Sequence, residues 1–252
     1  DLRLRKVLKR KVDELGFNLI HVHQPSLLAS VTPWFWNKSK VAILASRHII
    51  NHHNKRNLMH ALIYGRLDTL VVMSQALRKN VLMTHILRER RVRVIHYGID
   101  FEKFKRSKVD TAPIRKQWGL DEGTIGIGMV GRIDPAKGQD TFLRAAVGLM
   151  RMLKPKEKVK FILVGDPTLN SEESQTFLTS LKEMVAQFRI EESVVFMGFR
   201  QDIPEIMAAL DIFVMPSQEE AFGMVAIEAM AMGCPVIISK AGSSDEIVGP
   251  SR

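Results

Sequence analysis

The feature that most constrains this chain is the regular alternation of short apolar runs and amphipathic stretches through its second half. The runs TIGIGMVGRI (124–133), VKFILVGD (159–166), SVVFMGF (193–199), DIFVMPS (211–217) and PVIISK (235–240) are almost continuously apolar. Between them, residues 139–153, 173–188, 203–210 and 223–232 carry apolar side chains at helical spacing. Strands that lack polar alternation are buried on both faces, and strand–helix repetition joins neighbouring strands in parallel. The pattern predicts an α/β domain built on a parallel sheet, with ligands at the carboxyl ends of its strands.

The first half is less regular. Short buried strands are predicted at 18–23, 41–46, 68–74 and 92–98, with helices at 2–15, 55–66 and 75–89. This reads as a second, incomplete Rossmann-like domain. The polar stretch 101–123 is broken by Pro113, Gly119 and Gly123, which puts the boundary there and gives domains 1–118 and 119–252. A chain of 252 residues suits two such domains. Leu2, Leu4, Leu8, Val12 and Leu15 fall at roughly helical spacing in a charged start that is not a signal peptide. The chain does not begin with Met, which suggests a fragment. Its apolar runs are too short to span a bilayer. The single Cys234 excludes an internal disulfide and a multi-cysteine metal site, and fits a reducing cytoplasm.

The net charge of +10 is unevenly spread. Residues 1–120 hold 24 Lys/Arg against 8 Asp/Glu, whereas 121–252 hold 13 against 19. A basic face meets anionic lipid, nucleic acid, an acidic acceptor or only solvent.

Two glutamates carry the chemistry. Glu228 is the only charged residue in the apolar stretch Gly223 to Met232, so that helix is expected to be mostly buried. A carboxylate there is costly unless paired, and ribose hydroxyls would pair it. Glu220 precedes the helix, in the strand-to-helix loop. The N–H groups of Phe222, Gly223 and Met224 open the helix and could hold a phosphate. Without a ligand, Glu220 would be a helix N-terminal charge and Glu228 the partner of a buried Arg. Arg132 and Lys137, in GMVGRIDPAKGQD (128–140), lie after the first strand of this domain and suit a diphosphate. Gly126-x-Gly128-x-x-Gly131 matches the dinucleotide fingerprint in letters alone: its glycines fall inside the strand, and no acidic ribose hook follows.

Glu220-x7-Glu228, followed by AMAMGCPVI, Ala241-Gly242 and Glu246-Ile247-Val248, resembles the signature of glycosyltransferase family 4, the retaining GT-B enzymes. VGDPT (164–168), FNLIHVHQP (17–25), ILASRHII (43–50), VVMSQALRKN (71–80) and VIHYGIDFEKF (94–104) resemble further pieces of it. The sequence departs from that pattern at Ser243, where the family often has a second glycine, and at Tyr97, where Asn is common. The resemblance implies two Rossmann-like domains facing across a cleft, the N-terminal one incomplete and the C-terminal one lacking its last elements. It implies that Glu228 holds the ribose, that Glu220 and His48 face the donor sugar, and that Arg132 and Lys137 contact the phosphates. The loop at Phe199 and Arg200 would border the base. A hexosyl group would pass from a nucleoside-diphosphate sugar to a hydroxyl of a glycan or lipid-linked acceptor, with retention and without metal or other cofactor. Such an enzyme would be cytoplasmic or peripheral at the inner face of the membrane, touching anionic lipid through residues 1–120, with no nucleic-acid partner. A non-catalytic nucleotide-sugar-binding fragment, an epimerase and a phosphorylase are the alternatives. The RHIINHH cluster (47–53) lacks an acidic partner and diagnostic metal spacing.

Overall fold

The computed structural model describes residues 2–37 and 40–249, without the side chains of Leu2, Leu4 and Arg5. The first two positions of the apolar stripe on the first helix therefore lie outside the described residues. The chain forms two compact units, Asp1–Tyr97 and Gly98–Arg252. No helix among the described residues is long and apolar enough to cross a membrane.

In the first unit, β1 (Leu19–Val22), β2 (Ala42–Arg47), β3 (Thr69–Val72) and β4 (Val92–Val94) form a parallel sheet in that order. Helix α1 (Leu2–Leu15) precedes β1, and α2 (Leu28–Val31), α3 (Leu58–Gly65) and α4 (Gln75–Thr84) lie in the connections between the strands. Asn57 and Ser74 start α3 and α4 by accepting from the N–H groups of His60 and Leu77. The helix predicted to reach residue 89 ends at Thr84. His85 turns extended and is drawn inside the unit, 1% exposed. Short helical turns at Pro25–Leu27 and Thr32–Phe35 were not predicted. Their prolines fix the backbone of the first turn without an apolar repeat to announce it.

In the second unit, β5 (Thr124–Val130), β6 (Lys158–Val164), β7 (Val194–Phe196), β8 (Ile212–Met215) and β9 (Val236–Ile238) are all parallel, in the order β7-β6-β5-β8-β9. Each predicted strand is present, though shorter at its carboxyl end. Its helices are α5 (Ala112–Gln117), α6 (Gln139–Met152), α7 (Glu172–Gln187), α8 (Ile203–Ala209), α9 (Met224–Ala231) and α10 (Ser244–Val248). One core packs Phe142, Leu143 and Leu181 of α6 and α7 against Phe161 and Leu163. The other packs Ile206, Met207, Ala226 and Ala229 of α8 and α9 against Ile162 and Phe213. Opposite faces of β6 thus serve different cores, which explains the unbroken apolar runs.

The division between units falls before the polar stretch, not at 118/119. Phe104, Ile114, Trp118 and Leu120 are buried in the α8–α9 core. Arg115 of α5 donates to the carbonyls of Ala209 (2.8 Å) and Thr124 (3.0 Å) and to Asp211 (3.1 Å). Residues 98–118 therefore close the second unit. Within β5, the missing side chains of Gly126 and Gly128 leave space for Leu120 and Leu210. A Cβ at either glycine would approach these leucines to 2.8 and 2.6 Å. These glycines are packing positions, which agrees with setting the dinucleotide fingerprint aside.

Candidate functional site

The order β7-β6-β5-β8-β9 reverses direction between β5 and β8, and ligands bind α/β sheets at such a switch point. The loops after β5 and β8 meet there. Lys137 donates to Glu220 at 2.8 Å, with the glutamate side chain 13% exposed. Backbone contacts fix the two loops: Gln218 N–H donates to the Ala136 carbonyl at 2.9 Å. Gly138, at φ 75°, abuts the Pro216 carbonyl, where a Cβ would come within 2.3 Å.

A third loop, after β9, completes the arrangement. Gly242 (φ 57°) lies so close to Glu220 that a Cβ would stand 1.9 Å from its carbonyl oxygen. Ser243 N–H donates to that same oxygen at 3.2 Å. Ser243 has φ −91° and is fully buried, so a serine in place of the family's frequent second glycine is accommodated without strain. Gly223 precedes α9, whose first turn has no side-chain cap. Phe222 and Gly223 are buried, and Met224 is partly buried.

Beside this cluster, a cavity of about 1050 Å³ opens at the carboxyl ends of β5, β6 and β7. Arg132, Asp166, Leu169, Phe199 and Arg200 line it. Phe199 is 68% and Leu169 89% exposed, giving one wall a large apolar face. Arg132 pairs with Asp134 at 2.9 Å. Arg200 grips Asp202 through Nε at 2.8 Å and a terminal nitrogen at 2.5 Å. That hydrogen bond holds the Asp202 carboxyl below its usual range.

Glu228 is half-buried on α9. Burial raises its pKa, and the positive charge of Lys103 opposes the rise. Its helix is buried in part: every position of α9 except Met230 is buried or partly buried. Ala226 and Ala229 form the packed face, while Met230 on another face is 44% exposed. Val225 and Ala231 pack against the same core from partly buried positions. Its charged neighbour is Lys103, not a buried Arg.

His48 belongs to the first unit, just after β2. Its Nδ1 shares a hydrogen bond with the Tyr97 hydroxyl. The His23 ring stacks 6.1 Å from it, and His21 lies 3.9 Å from His23. Burial, then the charge of His23, lowers the pKa of His48. No group of three or more His, Cys, Asp or Glu side chains among the described residues is arranged to hold a metal.

The structure thus joins Lys137 to Glu220 and groups Arg132 with Phe199 and Arg200. Sequence reasoning missed Asp134, Asp202, Lys103 and the role of Tyr97. The first two had a readable signal, an Arg-x-Asp spacing repeated at 132–134 and 200–202. The close approach of Gly242 predicts that Gly242→Ala costs roughly 1–3 kcal/mol from backbone strain alone. Gly148→Ala, with nothing within 4 Å of its added Cβ in α6, should be neutral or stabilising. Equal denaturation midpoints for the two variants would contradict the tight loop packing.

Residues 110–251 match the model of Glycosyl transferases group 1, and residues 1–103 match Glycosyltransferase Family 4. The D-inositol 3-phosphate glycosyltransferase of Mycobacterium sp. (strain KMS) is 31% identical over 177 residues, covering 69% of this chain and 38% of that protein. The lipopolysaccharide core biosynthesis mannosyltransferase LpsB of Rhizobium meliloti is 34% identical over 155 residues, covering 62% of this chain and 42% of the relative. The chain thus spans less than half the length of either. The crystal structure of Anabaena HepE in complex with UDP superposes with a TM-score of 0.84 at 27% identity, covering 98% of this chain and 65% of HepE. With two Rossmann-like units and a match over more than half its length, the chain belongs to the glycosyl transferases group 1 family and has the GT-B type of fold.

Proposed function

We propose that the protein is, or is part of, a glycosyltransferase that moves a hexosyl group from a nucleoside-diphosphate sugar to an acceptor hydroxyl, with retention and without a metal. The observation that carries this is the meeting of Lys137 and Glu220 at the switch point, beside a cavity holding Arg132, Phe199 and Arg200. The UDP complex of HepE supports a nucleotide donor.

In this reading the base lies against Phe199 and Arg200, and Glu228 takes the ribose hydroxyls. Arg132, Lys137 and the N–H groups of Phe222, Gly223 and Met224 surround the diphosphate. Glu220 approaches the sugar hydroxyls, and His48 is kept as a candidate sugar ligand. Fixed positive groups stabilise the negative charge that develops on the leaving diphosphate. The bond from the anomeric carbon to the β-phosphate oxygen breaks, and a bond to the acceptor oxygen forms. The acceptor's proton passes to the leaving phosphate. The acceptor is a glycan or lipid-linked sugar, a class in keeping with the name of LpsB.

Glu228→Ala should weaken nucleotide binding, whereas Glu220→Ala should mainly reduce transfer by the full-length protein. Wild-type donor binding and transfer in both variants would remove these assignments. Donor binding without transfer by the full-length wild type would favour a non-catalytic binding module. The first unit carries 18 Lys/Arg against 5 Asp/Glu, and contact with anionic lipid is part of the same proposal. It predicts vesicle binding that weakens with salt; failure to bind at low salt would remove the membrane contact.

A further inference from the structure

The last residue of β2, Arg47, is 4% exposed. Its Nε donates to the Ile49 carbonyl at 3.1 Å, and its guanidinium bonds the hydroxyl of Tyr64, itself 3% exposed. Neither Arg47 nor Lys55 has a carboxylate partner among the described residues. The remaining titratable neighbours are bases, one from each element packed here. Lys55, from the loop after β2, has its pKa lowered first by burial and then by Arg47. Its backbone N–H donates to the Thr84 carbonyl at 2.8 Å and brings it alongside His85 at the end of α4. His60 stands on α3, one turn before Tyr64.

His85 is the most constrained member. Its ring lies 4.6 Å from that of Tyr64, and its Nδ1 meets the Thr84 hydroxyl at 2.9 Å. Its Nε2 is buried with no hydrogen-bond partner among the described residues. Its pKa is pushed down to about 4, first by burial, then by Arg47 and Lys55, with His60 adding to the effect and the backbone bond to Val81 opposing it. A guanidinium does not lose its proton in proteins. A buried positive charge without a counter-charge is unfavourable, and here the cost appears as a histidine held neutral with an unused nitrogen. Lys55 and His60 are only partly buried, so the cluster reaches solvent through these two side chains.

We propose that Arg47, Lys55 and His85 form an anion subsite for a phosphate group at the carboxyl end of β2. An oxyanion there would gain the guanidinium and ammonium charges and put a proton on His85 Nε2. A guanidinium, an ammonium and an imidazole that takes up a proton when the anion binds are three donors of different shape, which suit a tetrahedral phosphate. The subsite adjoins His48 without sharing its partners: His48 meets Tyr97 and His23, whereas Arg47 meets Tyr64 and Ile49. That the phosphate belongs to a sugar acceptor rests on the glycosyl-transfer reading; the anion site itself does not.

The test is nitrogen NMR of the histidine-labelled 252-residue chain, titrated with inorganic phosphate, a hexose 6-phosphate and an uncharged hexose. Phosphate favours the charged imidazole. The midpoint of His85 should therefore rise by about one pH unit or more, with proton uptake at Nε2. Lys55→Gln should weaken the response about tenfold. Arg132→Ala should leave it intact, which separates this subsite from phosphate held in the second unit. If inorganic phosphate moves His85 but the hexose phosphate does not, the anion site stands and its assignment to an acceptor falls. If neither moves His85 at millimolar concentration, or if Lys55→Gln responds like the wild type, the subsite is overturned.

Discussion

The candidate donor site depends on how closely the backbone runs together at the carboxyl edge of the second sheet. Gly242 abuts the Glu220 carbonyl and Gly138 the Pro216 carbonyl, at distances that exclude a Cβ. Ser243 N–H, Gln218 N–H and the Ser239 hydroxyl then tie the loops after β5, β8 and β9 into one piece. Glu220 and Lys137 are 83 positions apart in sequence, yet these contacts fix the backbones that carry them side by side. A charged pair held in this way is placed before any ligand arrives, as a site needs if it is to stabilise charge without reorganising.

The two candidate sites handle their cations differently. In the second unit Arg132, Lys137 and Arg200 each rest on a carboxylate: Asp134, Glu220 and Asp202. Partly exposed pairs of this kind contribute little stability. A diphosphate can take over such cations without a large loss, and the carboxylates keep them oriented until it does. In the first unit Arg47 and Lys55 lie against His85 and Tyr64 with no carboxylate partner among the described residues, and the histidine is driven neutral. The same residue types therefore read as an occupied resting state in one unit and an unfilled charge in the other.

Much of the architecture was legible because a parallel sheet covered on both faces leaves continuous apolar runs. β5, β6, β8 and β9 follow those runs closely. α5 was not legible: its sequence is short and polar, and only Ile114, with Trp118 just beyond it, reaches the core. That helix carries residues 98–118 into the second unit and moves the boundary. The end of α4 was hidden for another reason. The apolar spacing continues past Thr84, whereas the chain turns extended at His85, which is buried among Arg47, Lys55 and Tyr64. In the site, the residue types were readable but their partnerships were not. The letters around Glu228 suggested a buried helix; Ala226 and Ala229 are fully buried, the other positions are partly buried, and Met230 is exposed.

The central claim is that the loops at the carboxyl edge of the second sheet bind the donor nucleotide, and calorimetric titration of this chain with UDP-, GDP- and ADP-sugars tests it most directly. One-to-one binding of one of the three, lost on replacing Arg132 and Lys137 together with alanine, is the expected result. Absence of heat for all three at millimolar ligand, or binding that survives the double replacement unchanged, would contradict it.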